Sequence, residues 1–261
     1  MNEVLTERSG SILRVTLNRP AKKNAMTLSM YAAMAEIFEN AAKDDGIRVV
    51  VWNAVGDAFC AGNDIEDFLR NPPGPGESPQ ARLGNALVNF EKPLIAAVQG
   101  AAIGGGTTLL SHCDFVYASE SAKFQLPFVN LSVVPEFGFS WSLPARCGYL
   151  RAAELVMLAE PFDAKFAAAI GVVTRVVPGE QLLAAATETA TKLAAKQPGA
   201  LQACKRLMKR FPREQIEQAM KAENEEFAAR VRSPEAKQAL TAFLSRRRPA
   251  FAKSKESAAA K

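Results

Sequence analysis

Histidine is almost absent from this chain: His112 is the only one among 261 residues. A lone imidazole removes the usual Ser-His and Cys-His nucleophile pairs and leaves little with which to hold a catalytic metal. Cysteine is scarce as well. Cys60, Cys113, Cys147 and Cys204 stand far apart with no CxxC pair. They indicate neither a zinc site nor a disulfide framework, and reduced thiols in a cytosol fit this usage. No apolar run reaches the length needed to span a bilayer, and the N-terminal MNEVLTERSG carries charges where a secretory signal needs an apolar core. These absences point to a cytoplasmic protein with no membrane segment. Its chemistry must use carboxylates, backbone groups or a cofactor.

What the chain does contain is the material for a large core: 48% of its residues are hydrophobic and 23% charged, which excludes disordered and fibrous classes. The formal net charge is +5, with basic clusters at KRLMKRFPR (residues 205–213) and SRRRPAFAKSK (245–255). A modest excess spread over helices reads as a solvated face or a docking site for phosphates, so no nucleic-acid partner is expected.

The first half alternates strand and helix signals. Residues 11–18 (SILRVTLN) alternate as a half-buried strand, 47–55 (IRVVVWNAV) form a β-branched run, and 93–100 (PLIAAVQG) read as a buried strand ending in glycine. Between the first two, residues 28–45 carry apolar side chains at helical spacing behind Thr27, a plausible N-cap. From about residue 151 the pattern turns helical, at 181–196, 200–210, 214–232 and 235–245, except for a short β-like run at 171–177. This predicts an α/β core over 1–195 and a helical region over 196–261. Residues 71–80 (NPPGPGESPQ) read as a loop, and the tail 253–261 as frayed.

Two glycine-containing turns, FCAGNDIEDF (59–68) and GAAIGGGTTLL (100–110), each follow a β-type run and precede a helical one. Each therefore places backbone N–H groups at a helix start, where an anion or a developing oxyanion can bind. Neither is a nucleotide fingerprint: the second reads G-x-x-x-G-G-G, with no P-loop lysine after it. A third stretch, VVPEFGF (133–139), sets Glu136 in an apolar run, with Trp141 just beyond. Such a carboxylate is either exposed in a turn after Pro135 or buried with a raised pKa that the protein uses.

The set LNRPAKKNAMT (17–27), AFCAGNDIEDF (58–68), KPLIAAVQGAAIGGGTTLLSHCDFVYAS (92–119) and VVPEFGFSWSLP (133–144), in that order and spacing, resembles the crotonase, or enoyl-CoA hydratase/isomerase, superfamily. The resemblance implies a spiral of β-β-α units with a C-terminal helical region that packs against a neighbour and covers the coenzyme A site, in a homotrimer or dimer of trimers. It implies an acyl-CoA thioester as substrate, with coenzyme A part of that substrate and no metal, nicotinamide or flavin. The thioester oxygen would lie between the backbone N–H groups of Asn63 and Gly105. Lys22 or Lys23 would lie near the coenzyme A phosphates, and Ala61, Gly62, Asp64 and Ile65, with Ala25, Gly104, Thr108 and Phe128, along the acyl-CoA.

The departures from that pattern bear on the reaction. Hydratases of the family carry two glutamates where this chain has Thr108 and Phe128, and hydration needs both an activated water and a proton donor. Glu136 instead matches the single catalytic glutamate of the delta-3, delta-2 enoyl-CoA isomerases. Moving a double bond needs one base, taking a proton from C2 and returning it to C4. Phe124, Phe128, Phe137, Phe139 and Trp141 would keep water from that base. Asp64 and Glu66 are rival acids, although Asp64 also suits the cap of the helix that begins there. His112 and Cys113 read as structural. Other crotonase reactions on a thioester (hydration, hydrolysis, dehalogenation) stay open, as does a noncatalytic acyl-CoA or RNA-binding scaffold; a hydrolase or dehalogenase would want an acid or nucleophile where Thr107 and Thr108 stand.

Overall fold

The structure is a computed structural model that describes residues 2–71 and 77–246. Part of the loop expected at 71–80, most of the basic stretch 245–255 and the tail 253–261 lie outside the described residues. The chain opens with a hairpin of β1 (Val4–Ser9) and β2 (Ile12–Leu17), followed by α1 (Leu28–Lys43). Three units then repeat one plan: β3 (Val49–Ala54) and β4 (Ala58–Cys60) with α2 (Ile65–Arg70) and α3 (Pro79–Val88); β5 (Leu94–Val98) and β6 (Ala101–Ile103) with α4 (Gly105–Thr108); β7 (Phe115–Ser119) and β8 (Lys123–Gln125) with α5 (Phe139–Cys147). After them come α6 (Tyr149–Met157), β9 (Phe162–Asp163), α7 (Ala164–Ala169), β10 (Arg175–Val177), α8 (Leu182–Ala194), α9 (Pro198–Val231) and α10 (Pro234–Arg246).

Each unit gives one strand to each of two sheets. The larger has the order β1-β2-β3-β5-β7-β10 and the smaller β4-β6-β8-β9. Pairing is parallel except for β1 with β2 and β8 with β9. This is the expected spiral of β-β-α units. The β-branched run in β3 follows from burial of both faces of the large sheet. Alternate residues point opposite ways: Val50 and Trp52 enter the main core, whereas Val49 and Val51, with Ile95, Ala97 and Tyr117, pack on Leu182, Ala186 and Ala190 of α8.

Several expectations are corrected. β1 was not foreseen, because only Val4 of its six residues is buried and an edge strand held by backbone pairing shows no alternation. The strand expected at 171–177 covers only Arg175–Val177. The helices expected at 200–210 and 214–232 are one helix running through Pro212, held to the core on either side of the proline by the buried Lys205 and Met220. α3 begins inside the expected loop, with Ser78 Oγ accepting the Ala81 N–H at 3.1 Å. Among the described residues no helix is long and apolar enough to cross a membrane.

Candidate active site

A cavity of about 1080 Å³ opens where the ends of β4 and β6 meet the segment after β8. One side is built by a turn ahead of α1. Asn24 takes a left-handed conformation, φ 55°, which asparagine tolerates better than most residues. Its buried side chain is fully used: Oδ1 accepts the Arg19 N–H at 2.8 Å, and Nδ2 donates to the carbonyls of Val55 and Ala58 at 2.9 and 2.8 Å. The Lys23 carbonyl next door accepts the Ala61 N–H at 3.0 Å, tying this turn to the first glycine-containing segment.

Asn63 is bridged to Met26, which donates to the Gly62 carbonyl at 2.8 Å and accepts from the Asp64 N–H at 2.9 Å. Backbone groups of an extended segment alternate sides, so the Asn63 N–H points away from Met26, toward the side of β6. Glycine is required at 62: φ is 87°, and a Cβ there would stand 2.9 Å from the Ile103 carbonyl and 4.0 Å from the Gly105 nitrogen. Gly105 is the first residue of α4, so its N–H has no intrahelical acceptor. Two backbone donors thus stand close together at one wall of the cavity.

Opposite Gly105 lies Glu136, only 7% exposed, which rules out the exposed-turn alternative. A Cβ on Gly105 would stand 3.0 Å from Glu136 Oε1 and 3.1 Å from the Tyr31 hydroxyl, so this wall has no room for a side chain. Tyr31 Oη donates to Asn63 Oδ1 at 2.7 Å, and Asn63 Nδ2 donates to Glu136 Oε1 at 3.3 Å. This chain of bonds fixes the asparagine amide. Burial, with a smaller push from the negative charge of Glu223, drives the Glu136 carboxyl up to about 8, against the lowering effect of the Asn63 bond. Burial and then the Glu136 charge raise the Tyr31 phenol well above its ordinary value, so it stays a donor.

Of the residues expected here, Lys23, Ala61, Gly62, Asn63, Ile65, Gly104, Gly105, Phe128 and Glu136 line the cavity; Lys22, Ala25, Asp64 and Thr108 do not. Lys22 ends an exposed 3₁₀ turn, and Ala25 is buried beside Arg19, which donates to its carbonyl at 2.9 Å. Thr108 is wholly buried, its hydroxyl 3.4 Å from the Gly105 carbonyl. Asp64 caps α2, accepting from the Glu66 and Asp67 amides, and binds Arg19 at 2.7 Å. Burial would raise its carboxyl, but the Asp67 amide, Arg19 and the Glu66 amide outweigh it and hold it below the usual range. Because Asp64 takes the free amides of α2, the N–H of Asn63 belongs to the extended residue before the cap and not to a helix start. Glu66 pairs with Arg70 away from the cavity. Phe124, Phe137, Phe139 and Trp141 do not line the cavity either; its apolar walls come from Ile65, Phe68, Phe128, Leu131 and Val133, with Phe227 of α9 and Leu240 and Phe243 of α10. Among the described residues no three His, Cys, Asp or Glu side chains gather as a metal site requires.

Residues 7–254 match the family model described as enoyl-CoA hydratase/isomerase. The chain belongs to the enoyl-CoA hydratase/isomerase family. Among curated relatives, rat enoyl-CoA delta isomerase 2 is 33% identical over 94% of this chain, which spans 64% of that protein's length. The 1,2-epoxyphenylacetyl-CoA isomerase of Escherichia coli is 32% identical, covering 96% of this chain and 98% of the relative, and the 2,3-dehydroadipyl-CoA hydratase of the same organism is 32% identical over 96% and 99%. The solved structure of Pseudomonas aeruginosa OdaA superposes with a TM-score of 0.90 at 43% identity, covering 94% of this chain and 99% of that one.

Two residues of this family member's site escaped the sequence reading. Tyr31 lies in an apolar helical stripe and reads as core. Glu223 lies among the exposed Glu225 and Glu226 on α9, but it shares a helix face with Met220 and Phe227 at i−3 and i+4, and an acid on an apolar stripe was the available signal.

Proposed function

We propose that the chain is an acyl-CoA isomerase that moves a 3-enoyl-CoA double bond to the 2-position with Glu136 as the only proton carrier. One observation carries this reading: among the described residues, the carboxylates lining the cavity are Glu136 and Glu235, and only Glu136 is held without an ion pair, since Glu235 binds Arg230 at 2.7 Å. The thioester oxygen lies between the Asn63 and Gly105 N–H groups, each such donor accounting for ~10² to 10³-fold in turnover. Glu136 removes a proton from C2, negative charge moves onto the oxygen of the dienolate, and the same carboxyl returns the proton to C4. A carboxyl near 8 suits both halves of this cycle, being basic enough to take the proton and acidic enough to return it.

In this reading Lys23, exposed at the cavity and only loosely paired with Asp57 at 3.7 Å, meets the coenzyme A phosphates, while α9 and α10 cover the acyl group. Hydration lacks a second free acid, because Thr108 and Phe128 occupy the positions it would need. The exposed apolar side chains of Leu150 on α6 and Phe211 on α9 are consistent with burial against other copies in a homotrimer or dimer of trimers. The test is separate incubation with 3-hexenoyl-CoA and crotonyl-CoA. Conversion of the first to 2-hexenoyl-CoA, with little water added to the second, is the expected result. Brisk hydration of crotonyl-CoA without isomerisation would replace this reading with a hydratase.

A further inference from the structure

We propose that Glu223, on α9, is the positioning residue of this site: its two carboxylate oxygens grip the amides of Gly138 and Ser140 and so fix the turn that presents Glu136 to the cavity. The inference rests on the reading of Glu136 as proton carrier. Directly after Glu136 the chain passes through two consecutive left-handed residues, Phe137 at φ 65° and Gly138 at φ 72°. For phenylalanine that conformation is strained and persists only where its surroundings impose it.

Three hydrogen bonds impose it. Glu223 Oε2 accepts the Gly138 N–H at 2.7 Å, and Oε1 accepts the Ser140 N–H at 2.7 Å. On the other side the His112 ring, Nε2, donates to the Phe137 carbonyl at 3.0 Å, since a carbonyl can only accept. α9 also closes directly on the turn: a Cβ on Gly138 would stand 2.7 Å from Ile216 Cγ2. Glu223 is 5% exposed; burial raises its carboxyl above the ordinary value, while the Ser140 and Gly138 groups at the start of α5 pull it back by bonding both oxygens.

The same carboxylate acts on Glu136 through its charge, adding to the burial that keeps Glu136 basic. Among the described residues Tyr31 of α1 and Cys60 of β4 also face Glu136, and burial raises both, so both stay neutral; Lys23 and Glu235 line the same cavity. Behind the turn His112 faces Lys209, Arg146 and Lys205; burial, then Lys209, pushes the imidazole down to about 3. It too stays neutral. The pH response of the turn therefore falls on the two carboxyls, Glu136 and Glu223.

The experiment compares wild type, Glu223→Gln and Glu223→Asp by turnover of 3-hexenoyl-CoA against pH. It also follows the carbon-13 titration of glutamate carboxyls, with the Glu136 signal assigned by its loss in Glu136→Gln. In Glu223→Gln one amide loses its acceptor and the charge is gone. Turnover should fall about 10-fold or more with KM nearly unchanged. The Glu136 midpoint and the acid limb of the rate profile should move about half a unit or more to lower pH, because the ionised form no longer meets a like charge. Glu223→Asp keeps the charge but shortens the reach, so turnover should fall while the midpoint stays. An unmoved midpoint in Glu223→Gln, or wild-type turnover in Glu223→Asp, overturns the proposal. Undiminished turnover in Glu136→Gln would sink the proton-carrier reading instead, and the carbon-13 midpoints would still judge Glu223 on their own.

Discussion

A carboxyl pushed up to about 8 is largely protonated at neutral pH, and only its ionised form can take a proton from C2. Turnover of a 3-enoyl-CoA should therefore rise with pH along a limb centred near that value. Stability should move the opposite way. The folded-state pKa of Glu136 lies above its unfolded value, so the folded chain binds the proton more tightly and loses stability as pH climbs from the ordinary carboxylate range to about 8. Glu136→Gln removes this penalty. The variant should gain on wild type as pH rises through that window, by up to about 4 kcal/mol, in denaturant unfolding at pH 5 and pH 8.5. An equal difference at both pH values would show that Glu136 does not titrate as its burial requires. Tyr31→Phe separates order from chemistry at the same site. It leaves the ring stacked on Phe137, 6.2 Å between centroids, but strips Asn63 Oδ1 of its donor. Leaving that part-buried acceptor unpaired should cost about 1 kcal/mol. Turnover should fall about 10-fold as the Asn63 amide loses its fixed direction. Wild-type turnover in Tyr31→Phe would show that Asn63 is held by something else.

α9 must be clamped to the core for Glu223 to reach the turn, and Lys205 is the clamp. Its buried ammonium donates to the Lys92 carbonyl at 2.7 Å and to Asp114 Oδ2 at 2.6 Å, while Lys92 donates to the carbonyls of Ala41 and Asp44. Lys205 and Glu223 stand 18 residues apart, about five turns at 3.6 residues each, so they share a helix face. Lys205→Met should lower stability by about 2 kcal/mol, since it leaves the half-buried Asp114 with only the Leu94 amide and a distant Lys209. A change below about 0.5 kcal/mol would mean the pair is replaceable, as exposed ion pairs are. Elements of this kind differ in how far the sequence betrays them. β2, β3 and β5 were legible because a sheet covered on one or both faces leaves alternating or continuous apolar runs. β6, β8 and β9 were not, because two or three residues carry no period. Pro212 suggested a break that packing on the core overrides. Within the site, Asn63, Gly105 and Glu136 could be named from motif resemblance. Tyr31 and Glu223 act through partners 32 and 85 residues away in the chain, which no local pattern reports.

At the scale of the whole molecule, the two sheets bring the ends of β4 and β6 side by side, so that two amides from different units face one cavity. The segment after β8 then carries Glu136 in from the third unit. The C-terminal helices complete the arrangement: α9 through Glu223 and Phe227, α10 through Leu240 and Phe243. In the proposed reaction, an acid on its own segment, apart from both backbone donors, serves C2 and then C4 while the oxyanion stays fixed. Thr108 and Phe128, where the family resemblance leads us to expect the acids of a hydratase, are a buried hydroxyl and an apolar wall. The most direct test of one carboxylate carrying both proton steps is exchange at C2 of a 3-enoyl-CoA in deuterated water, compared between wild type and Glu136→Gln. We expect exchange in wild type and a loss of ~10² to 10⁴-fold in the variant, with binding of the ester retained; equal exchange in the two proteins would contradict the assignment of Glu136.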